Sequence, residues 1–180
     1  MASELSAMTF EAPTWGWISL AASPQGLRML GLPKRTEQAA LRYLQQQYRD
    51  AELTPNAPFL LDVATQVKAY LAGELEQFTV TLDLRGHTSF ELAVWAAVAR
   101  IPFGQTRTYS WVADQVGGGR GAAQAAGAAV GDNPVPLIVP CHRVIGSDGS
   151  LHGFAGGLEM KARLLALESG QGTLELNAAG

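Results

Sequence analysis

The stretch PVPLIVPCHRV, residues 134–144, constrains this chain more than any other segment. Its prolines brace an apolar run that leads directly into the single cysteine of the sequence, Cys141, followed by His142. Such bracing can fix a side chain in a buried pocket. A free cysteine is nevertheless most often an inert core residue, and sequence neighbours often point apart. From these residues alone, packing is the favoured role for Cys141 and nucleophilic chemistry is the alternative.

Upstream of this stretch, the pattern predicts a mostly helical domain. Residues 88–91, TSFE, form a capping box that opens a helix. The residues expected on its buried side are Phe90, Val94, Trp95 and Val98. A short helix over about 109–116, a glycine turn at 117–119 and an alanine-rich helix over about 121–130 have the outline of a helix-turn-helix. Any pair of antiparallel helices gives this outline, so the signal is weak by itself.

The N-terminal half predicts a small α/β unit. Alternating apolar residues over 15–32 indicate a β-hairpin, and two helices follow, one over about 36–48 and one carrying apolar residues at helical spacing over 60–71. Residues 78–84, FTVTLDL, alternate with the period of a half-buried strand. Gly86 and His87 mark a boundary. We therefore expect domains at 1–86 and 87–170 and a flexible tail at 171–180.

Composition narrows the class of protein. The hydrophobic content of 47% and charged content of 16% suit a folded protein; no run approaches the ~20 apolar residues of a membrane span, and the N-terminus lacks a signal-peptide layout. We expect a cytoplasmic protein with no membrane partner. One cysteine excludes an intramolecular disulfide, and the three histidines show no metal-ligand spacing, so neither metal nor cofactor is expected. At a net charge of -3, any DNA contact must come from a local patch.

The cysteine block resembles the active site of the O6-alkylguanine-DNA alkyltransferases. The resemblance lies in residues 140–144, PCHRV, then 153–157, GFAGG, and then Lys161, Leu164, Leu165 and Glu168. Residues 101–104, 108–109 and 131–134 also stand in the family's order and approximate spacing. The resemblance is close over 88–168 and covers the N-terminal unit only in outline. It implies an α/β fold: a small N-terminal RNase-H-like domain, then a mostly helical C-terminal domain with a winged-helix-like helix-turn-helix.

The activity implied by the resemblance is a single-turnover transfer of an alkyl group from O6 of an everted guanine in DNA to Cys141. A thiolate suits this displacement because it is a strong, soft nucleophile. In the family a histidine, backed by a glutamate, takes the thiol proton through a water, an asparagine braces the network and a tyrosine protonates the leaving guanine. Those positions are His142, Glu168, Asn133 and Tyr109. The residues implied to contact the base are Val144, Phe154, Ala155 and Gly156. A monomer is the family expectation, and O4-alkylthymine stays open as a second substrate.

The sequence departs from the family in the helix that enters DNA. Gln124 stands where the family usually carries an arginine that fills the space left by the flipped nucleotide, and Asp132 stands where an arginine is common. The residues expected to contact DNA are Gln124, Ala123, Ala125, Arg107, Arg120 and Arg143, with Lys161 as a further cation. With so few phosphate contacts, we predict weak, modestly salt-dependent binding and impaired base flipping.

Two other functions stay open from the sequence. A non-catalytic sensor of alkylated bases would bind lesions without reacting, but relatives of that kind carry tryptophan in place of the cysteine, whereas this chain keeps Cys141. A turnover enzyme, either a Cys-His hydrolase or a variant acting on another modified base, would also pair a thiolate with histidine. The sequence carries no independent oxyanion-hole motif to favour it.

Overall fold

A computed structural model describes residues 4–119 and 121–170; Arg120 and the predicted tail at 171–180 lie outside the described residues. The chain divides into two units with the boundary between Arg85 and Gly86. Pro134–Pro136 groups with the first unit, although the sequence placed it in the second domain. The reason is a backbone contact, since the Leu30 amide donates to the Pro134 carbonyl at 2.9 Å. Within the described part of the chain, no helix has the length and apolar content to cross a bilayer.

The first unit is a four-stranded sheet with two helices. Its elements are β1 (Ser6–Ala12), β2 (Gly16–Ser23), β3 (Gly26–Lys34), α1 (Glu37–Gln47), β4 (Glu52–Leu53) and α2 (Pro58–Leu71). The sheet order is β3-β2-β1-β4, antiparallel except for the parallel β1–β4 pair. The hairpin predicted over 15–32 is confirmed as the β2–β3 pair. Both helices lie where the periodicity predicted them, and Thr36 caps α1 by accepting from the Ala39 amide.

The strand predicted over 78–84 is wrong. Only Leu82 pairs, through a single parallel bridge to Leu27, with the Leu27 amide donating to Thr81 and the Asp83 amide donating to Leu27, each at 2.9 Å. The segment meets β3 near its first residue and pairs with it through this one rung only. Asp83 is buried instead of facing solvent, because Arg28 and Arg85 bind its carboxylate at 3.0 and 2.7 Å.

The second unit is mostly helical. Its elements are α3 (Ser89–Ala99), β5 (Arg107–Thr108), α4 (Tyr109–Gln115), α5 (Ala122–Gly131), a 3-10 turn (Cys141–Arg143), β6 (Val144–Ile145) and α6 (Leu158–Glu168). The capping box at Thr88 and Glu91 is confirmed, whereas the burial predicted for Phe90 is wrong: its side chain is 39% exposed. Phe90 lies in the first turn of α3, ahead of Val94 and Trp95, which form the buried face.

Two contacts position the elements around the cysteine. Trp95 donates from Nε1 to the Ala129 carbonyl at 2.7 Å and so ties α3 to α5. The short strands β5 and β6 pair in parallel, Arg107 with Val144 and Thr108 with Ile145. Because α4 begins directly after β5 and the 3-10 turn ends directly before β6, this pairing brings the start of α4 beside Cys141–Arg143.

Candidate active site

Cys141 opens a 3-10 turn whose backbone is fixed by short hydrogen bonds. Its amide donates to the Val139 carbonyl at 2.8 Å, and the Arg143 amide donates to the Pro140 carbonyl at 2.9 Å. Asn133 reinforces the same segment, since its side-chain amide donates to the Val139 carbonyl at 2.8 Å. Cys141 is buried but keeps 8% of its surface accessible. The braced segment therefore holds the sulfur in a defined, mostly dry position.

The thiol of Cys141 is protonated at rest. Burial raises its pKa above the usual value, and a hydrogen bond with the Asn133 side chain, the positive charge of Lys161 and backbone hydrogen bonds only partly oppose this effect. A nearby base must therefore take the thiol proton before the sulfur can act as a nucleophile.

A buried carboxylate lies behind the neighbouring histidine. Glu168, at the end of α6, places Oε1 2.8 Å from Nε2 of His142, and both side chains are almost fully buried, at 1% and 0% exposed. Burial alone would raise the pKa of Glu168, but hydrogen bonds from His142 and Arg143 outweigh it and lower the pKa to about 2. The carboxylate is therefore ionised across the physiological range.

This ionised carboxylate determines which ring nitrogen of His142 carries the hydrogen. An ionised carboxylate can only accept hydrogen bonds, so Nε2 must carry the hydrogen and Nδ1 must carry the lone pair. Burial lowers the pKa of His142, although the hydrogen bond to Glu168 opposes this. A neutral imidazole with its lone pair on Nδ1 is the form that can accept a proton from the thiol.

Arg143 is not a DNA-facing cation, and this corrects the expectation from the sequence. It is 6% exposed, its Nε and Nη2 donate to the Glu168 carboxylate at 2.7 to 3.0 Å, and its Nη1 donates to the Ile101 carbonyl at 2.6 Å. A guanidinium held by these acceptors cannot reach a phosphate. Its charge instead balances the buried carboxylate behind His142.

Lys161 is also buried, which corrects its predicted place among the DNA-facing cations. It is 0% exposed, and its ammonium donates to the His152 carbonyl at 2.9 Å and to the Tyr109 hydroxyl at 3.4 Å. Tyr109 is half-buried at the start of α4, and burial raises its pKa. Burial lowers the pKa of Lys161, and interaction with the ionised form of Cys141 partly opposes this effect and adds to the raised pKa of Tyr109, so the two groups and the thiol share one electrostatic environment.

The remaining predicted base-contacting residues lie between the cysteine and α6. Val144 is fully buried in β6, while Phe154 is half-buried and Ala155 is exposed in the loop that precedes α6. The Gly157 amide donates to the Phe154 carbonyl at 2.9 Å and closes a turn that includes Ala155 and Gly156. These residues stay predicted contacts of the base.

The predicted DNA-facing helix is uncharged. Gln124 and Ala125 are exposed on α5 and Ala123 is half-buried, and no residue of Ala122–Gly131 carries a charge. Arg107 is half-exposed, donates to the Thr106 carbonyl at 2.8 Å and to Gln105 at 2.9 Å, and lies over the Trp111 ring at 5.7 Å. Within residues 4–119 and 121–170, no cluster of three or more His, Cys, Asp or Glu side chains could hold a metal ion.

One signal in the sequence could have shown that Lys161 is buried. Lys161 lies three residues before Leu164 and seven before Glu168, so all three occupy one helical face. That face is the buried face of α6. The ion pair between Arg143 and Glu168 has no comparable local signal, since it joins residues 25 positions apart in the sequence.

Two family models match the chain. The 6-O-methylguanine DNA methyltransferase ribonuclease-like domain matches residues 8–84, and the DNA binding domain of the same enzyme matches residues 89–170.

Curated proteins and a solved structure give the same result. A methylated-DNA--protein-cysteine methyltransferase of Mycobacterium tuberculosis is 47% identical over 138 residues, covering 76% of this chain and 82% of that protein. An inducible enzyme of the same description from Bacillus subtilis is 40% identical, covering 83% and 82%. The crystal structure of Mycobacterium tuberculosis OGT in complex with DNA matches with a TM-score of 0.78 at 41% identity, covering 92% of this chain and 94% of that one.

Proposed function

The chain belongs to the 6-O-methylguanine DNA methyltransferase family, and from this premise we propose that it moves an alkyl group from O6 of guanine in DNA onto Cys141 in one irreversible turnover. The enzyme is a DNA-binding repair protein that transfers a methyl group from methylated DNA to a protein cysteine. Cys141 is the only cysteine of the chain, so it is the candidate acceptor.

The observation that carries this proposal is the 2.8 Å hydrogen bond between His142 and the buried carboxylate of Glu168, because His142 directly follows the buried Cys141 in the chain. His142 takes the thiol proton, and the resulting imidazolium is stabilised by the carboxylate at 2.8 Å. The thiolate then attacks the alkyl carbon. The S–C bond forms as the C–O6 bond breaks, and the electron pair of that bond leaves with the guanine.

The leaving guanine needs a proton, and Tyr109 is the candidate donor because its hydroxyl lies within the same electrostatic environment as the thiol. The product at Cys141 is a thioether, from which sulfur leaves poorly. The chain has no second cysteine to accept the alkyl group. These two facts support a single turnover per molecule.

Recognition of the base rests on the loop that follows the cysteine. We assign Val144, Phe154, Ala155 and Gly156 to the pocket, with the Val144 carbonyl accepting from the guanine amino group, the Ala155 amide near O6 and Phe154 forming a wall of the pocket. We also place the protein in the cytoplasm as a monomer. O4-alkylthymine is a second substrate if this pocket brings the smaller pyrimidine ring within reach of Cys141.

Because α5 carries no charge, it is expected to bind duplex DNA more weakly than a helix with an arginine at position 124 would. Gln124 can still wedge into the stack and hydrogen-bond to the orphaned base, but it gains no attraction to phosphate. Binding with few cationic contacts depends only modestly on salt concentration. Lesions in unpaired or mismatched positions, which cost least to evert, are therefore the preferred substrates.

The test is the mass of the intact protein after incubation with an oligonucleotide that contains O6-methylguanine. A gain of one methyl group, absent from the Cys141→Ala variant, is expected. Lesion binding without any gain in mass would instead support the non-catalytic sensor. Several products per protein molecule would support a turnover enzyme.

A further inference from the structure

Lys161 is a buried charged group that the mechanism above leaves without a function. It is 0% exposed on the inner face of α6, beside Leu164. Burying an ammonium is costly unless its donors are used, and Lys161 uses two of them on the His152 carbonyl at 2.9 Å and the Tyr109 hydroxyl at 3.4 Å. Its ammonium also lies 5.7 Å from the centre of the Tyr109 ring. The lysine is thus directed at the residue proposed to protonate the leaving guanine.

The direction of the Lys161–Tyr109 contact matters for the chemistry. An ammonium has only donors, so the Tyr109 oxygen accepts from Lys161 and its own hydrogen is free to point at another acceptor. Burial raises the pKa of Tyr109 and lowers the pKa of Lys161. A tyrosine with a raised pKa is a poor acid alone, whereas a lysine with a lowered pKa gives up a proton more readily.

The loop before α6 holds the other partner of this lysine in place. The Gly146 amide donates to the Ser150 carbonyl at 2.9 Å, and the Ser150 hydroxyl contacts His152 Nε2 at 2.8 Å. The His152 ring packs edge-on against Tyr109 with centroids 6.3 Å apart. His152 therefore contacts both members of the pair, Tyr109 through its ring and Lys161 through its carbonyl.

We propose that Lys161 is a positioning residue that acts through Tyr109, orienting its hydroxyl and restoring the proton that Tyr109 gives to the departing guanine. This inference rests on the proposed function. As the C–O6 bond breaks, the Tyr109 O–H bond breaks and the guanine anion gains the proton. In the same step one Lys161 N–H bond breaks, a new Tyr109 O–H bond forms and the ammonium becomes a neutral amine. The amine regains a proton from solvent after the base has left.

The competing role for Lys161 is stabilisation of the Cys141 thiolate by its charge, and a second alkyl donor separates the two roles. Iodomethane alkylates the same thiolate, but iodide leaves as an anion and needs no proton. A lysine that serves the leaving group affects transfer from O6-methylguanine far more than transfer from iodomethane. A lysine that serves the thiolate affects both donors equally.

The experiment measures, by intact mass, the rates of Cys141 methylation by an O6-methylguanine oligonucleotide and by iodomethane. Lys161→Met is expected to lower the first rate about 100-fold, the lower end of general-acid effects, and to lower the second far less, because the charge of Lys161 also favours the thiolate. Lys161→Arg keeps the charge but cannot release a proton, so it is expected to remain slow with the oligonucleotide. Lys34→Met, which removes a lysine 5.1 Å from the Tyr43 ring in the first unit, is the matched control and should leave both rates unchanged.

Tyr109→Phe completes the test through a double-mutant cycle. If Lys161 acts through Tyr109, adding Lys161→Met to Tyr109→Phe slows the oligonucleotide reaction no further.

The proposal is overturned if Lys161→Met slows both donors equally or neither, if Lys161→Arg reacts at the wild-type rate, or if the double variant is slower than both single variants. The folded fraction of each variant is measured by circular dichroism, because unfolded molecules react with iodomethane but not with the oligonucleotide. If the wild-type protein gains no methyl group from DNA, the proposed function fails; if it does but Lys161→Met matches it, only this inference fails.

Discussion

Replacing Glu168 by glutamine removes one negative charge from the centre of the second unit while keeping the size of the side chain. The carboxylate accepts hydrogen bonds from both His142 and Arg143, and the side chain is 1% exposed. In Glu168→Gln the Arg143 guanidinium stays buried without its counter-charge, and His142 loses the anion that stabilises its protonated form. Both stability and the rate of alkyl transfer should fall.

The pKa of Glu168 sets the size and the pH range of the effect on stability. A carboxyl whose pKa falls from 4.5 to about 2 on folding contributes roughly 3 kcal/mol to the free energy of unfolding. Because the folded-state pKa is the lower one, this contribution is complete above the unfolded value of 4.5 and is lost as the pH falls toward about 2. Asp83 also has a lowered pKa and adds its own loss in acid, so the relevant quantity is the difference between wild type and variant.

Urea unfolding followed by tryptophan fluorescence measures this difference at a series of pH values. At neutral pH, Glu168→Gln should unfold with a free energy roughly 3 kcal/mol lower than wild type, and the gap should close in acid. Glu159→Gln, an exposed glutamate on the same helix, is the control and should show no gap. A gap that stays constant from neutral pH to pH 3 would refute the claim that Glu168 is the ionised partner of His142 and Arg143.

Three further variants test the DNA-facing side and the fold. Gln124→Arg should accelerate repair of O6-methylguanine in duplex DNA but not in single strands, measured by single-turnover kinetics; equal effects on both would discard the proposed role of α5. Arg107→Ala should weaken DNA binding and reduce the slope of log affinity against log salt by about 1, whereas an unchanged slope would remove Arg107 from the phosphate contacts. Thr88→Ala should lower the free energy of unfolding by about 1 kcal/mol through loss of the capping box, with alkyl transfer unaffected; no change in the unfolding curve would show that the cap is dispensable.

Features that depend on a few neighbouring residues could be predicted from the sequence. The capping box at Thr88, the β2–β3 hairpin and the α4–α5 pair each carry a local signal, and each lies where it was predicted. The alternation over 78–84 has the same kind of signal but failed. Strand pairing is a contact between distant segments, and the sequence does not show that this segment meets only the first residues of β3.

The residues of the active site also divide into those whose position the sequence predicted and those whose position it did not. His142 and Glu168 were predicted as partners from the family resemblance, and they lie 2.8 Å apart. Arg143 and Lys161 were expected among the cations that face DNA, yet both are buried. Each is held by acceptors far away in sequence, and which distant acceptors meet a given cation is decided by packing.

Cys141 is expected to accept one alkyl group and then to be unable to react again. The direct measurement is a titration of the protein with excess oligonucleotide carrying a radiolabelled O6-methyl group, followed by counting of protein-bound label and mapping of the labelled peptide. A plateau of one methyl group per protein molecule is expected, located on the peptide that contains Cys141. Label on any other residue, or release of methylated product beyond one equivalent, would contradict it.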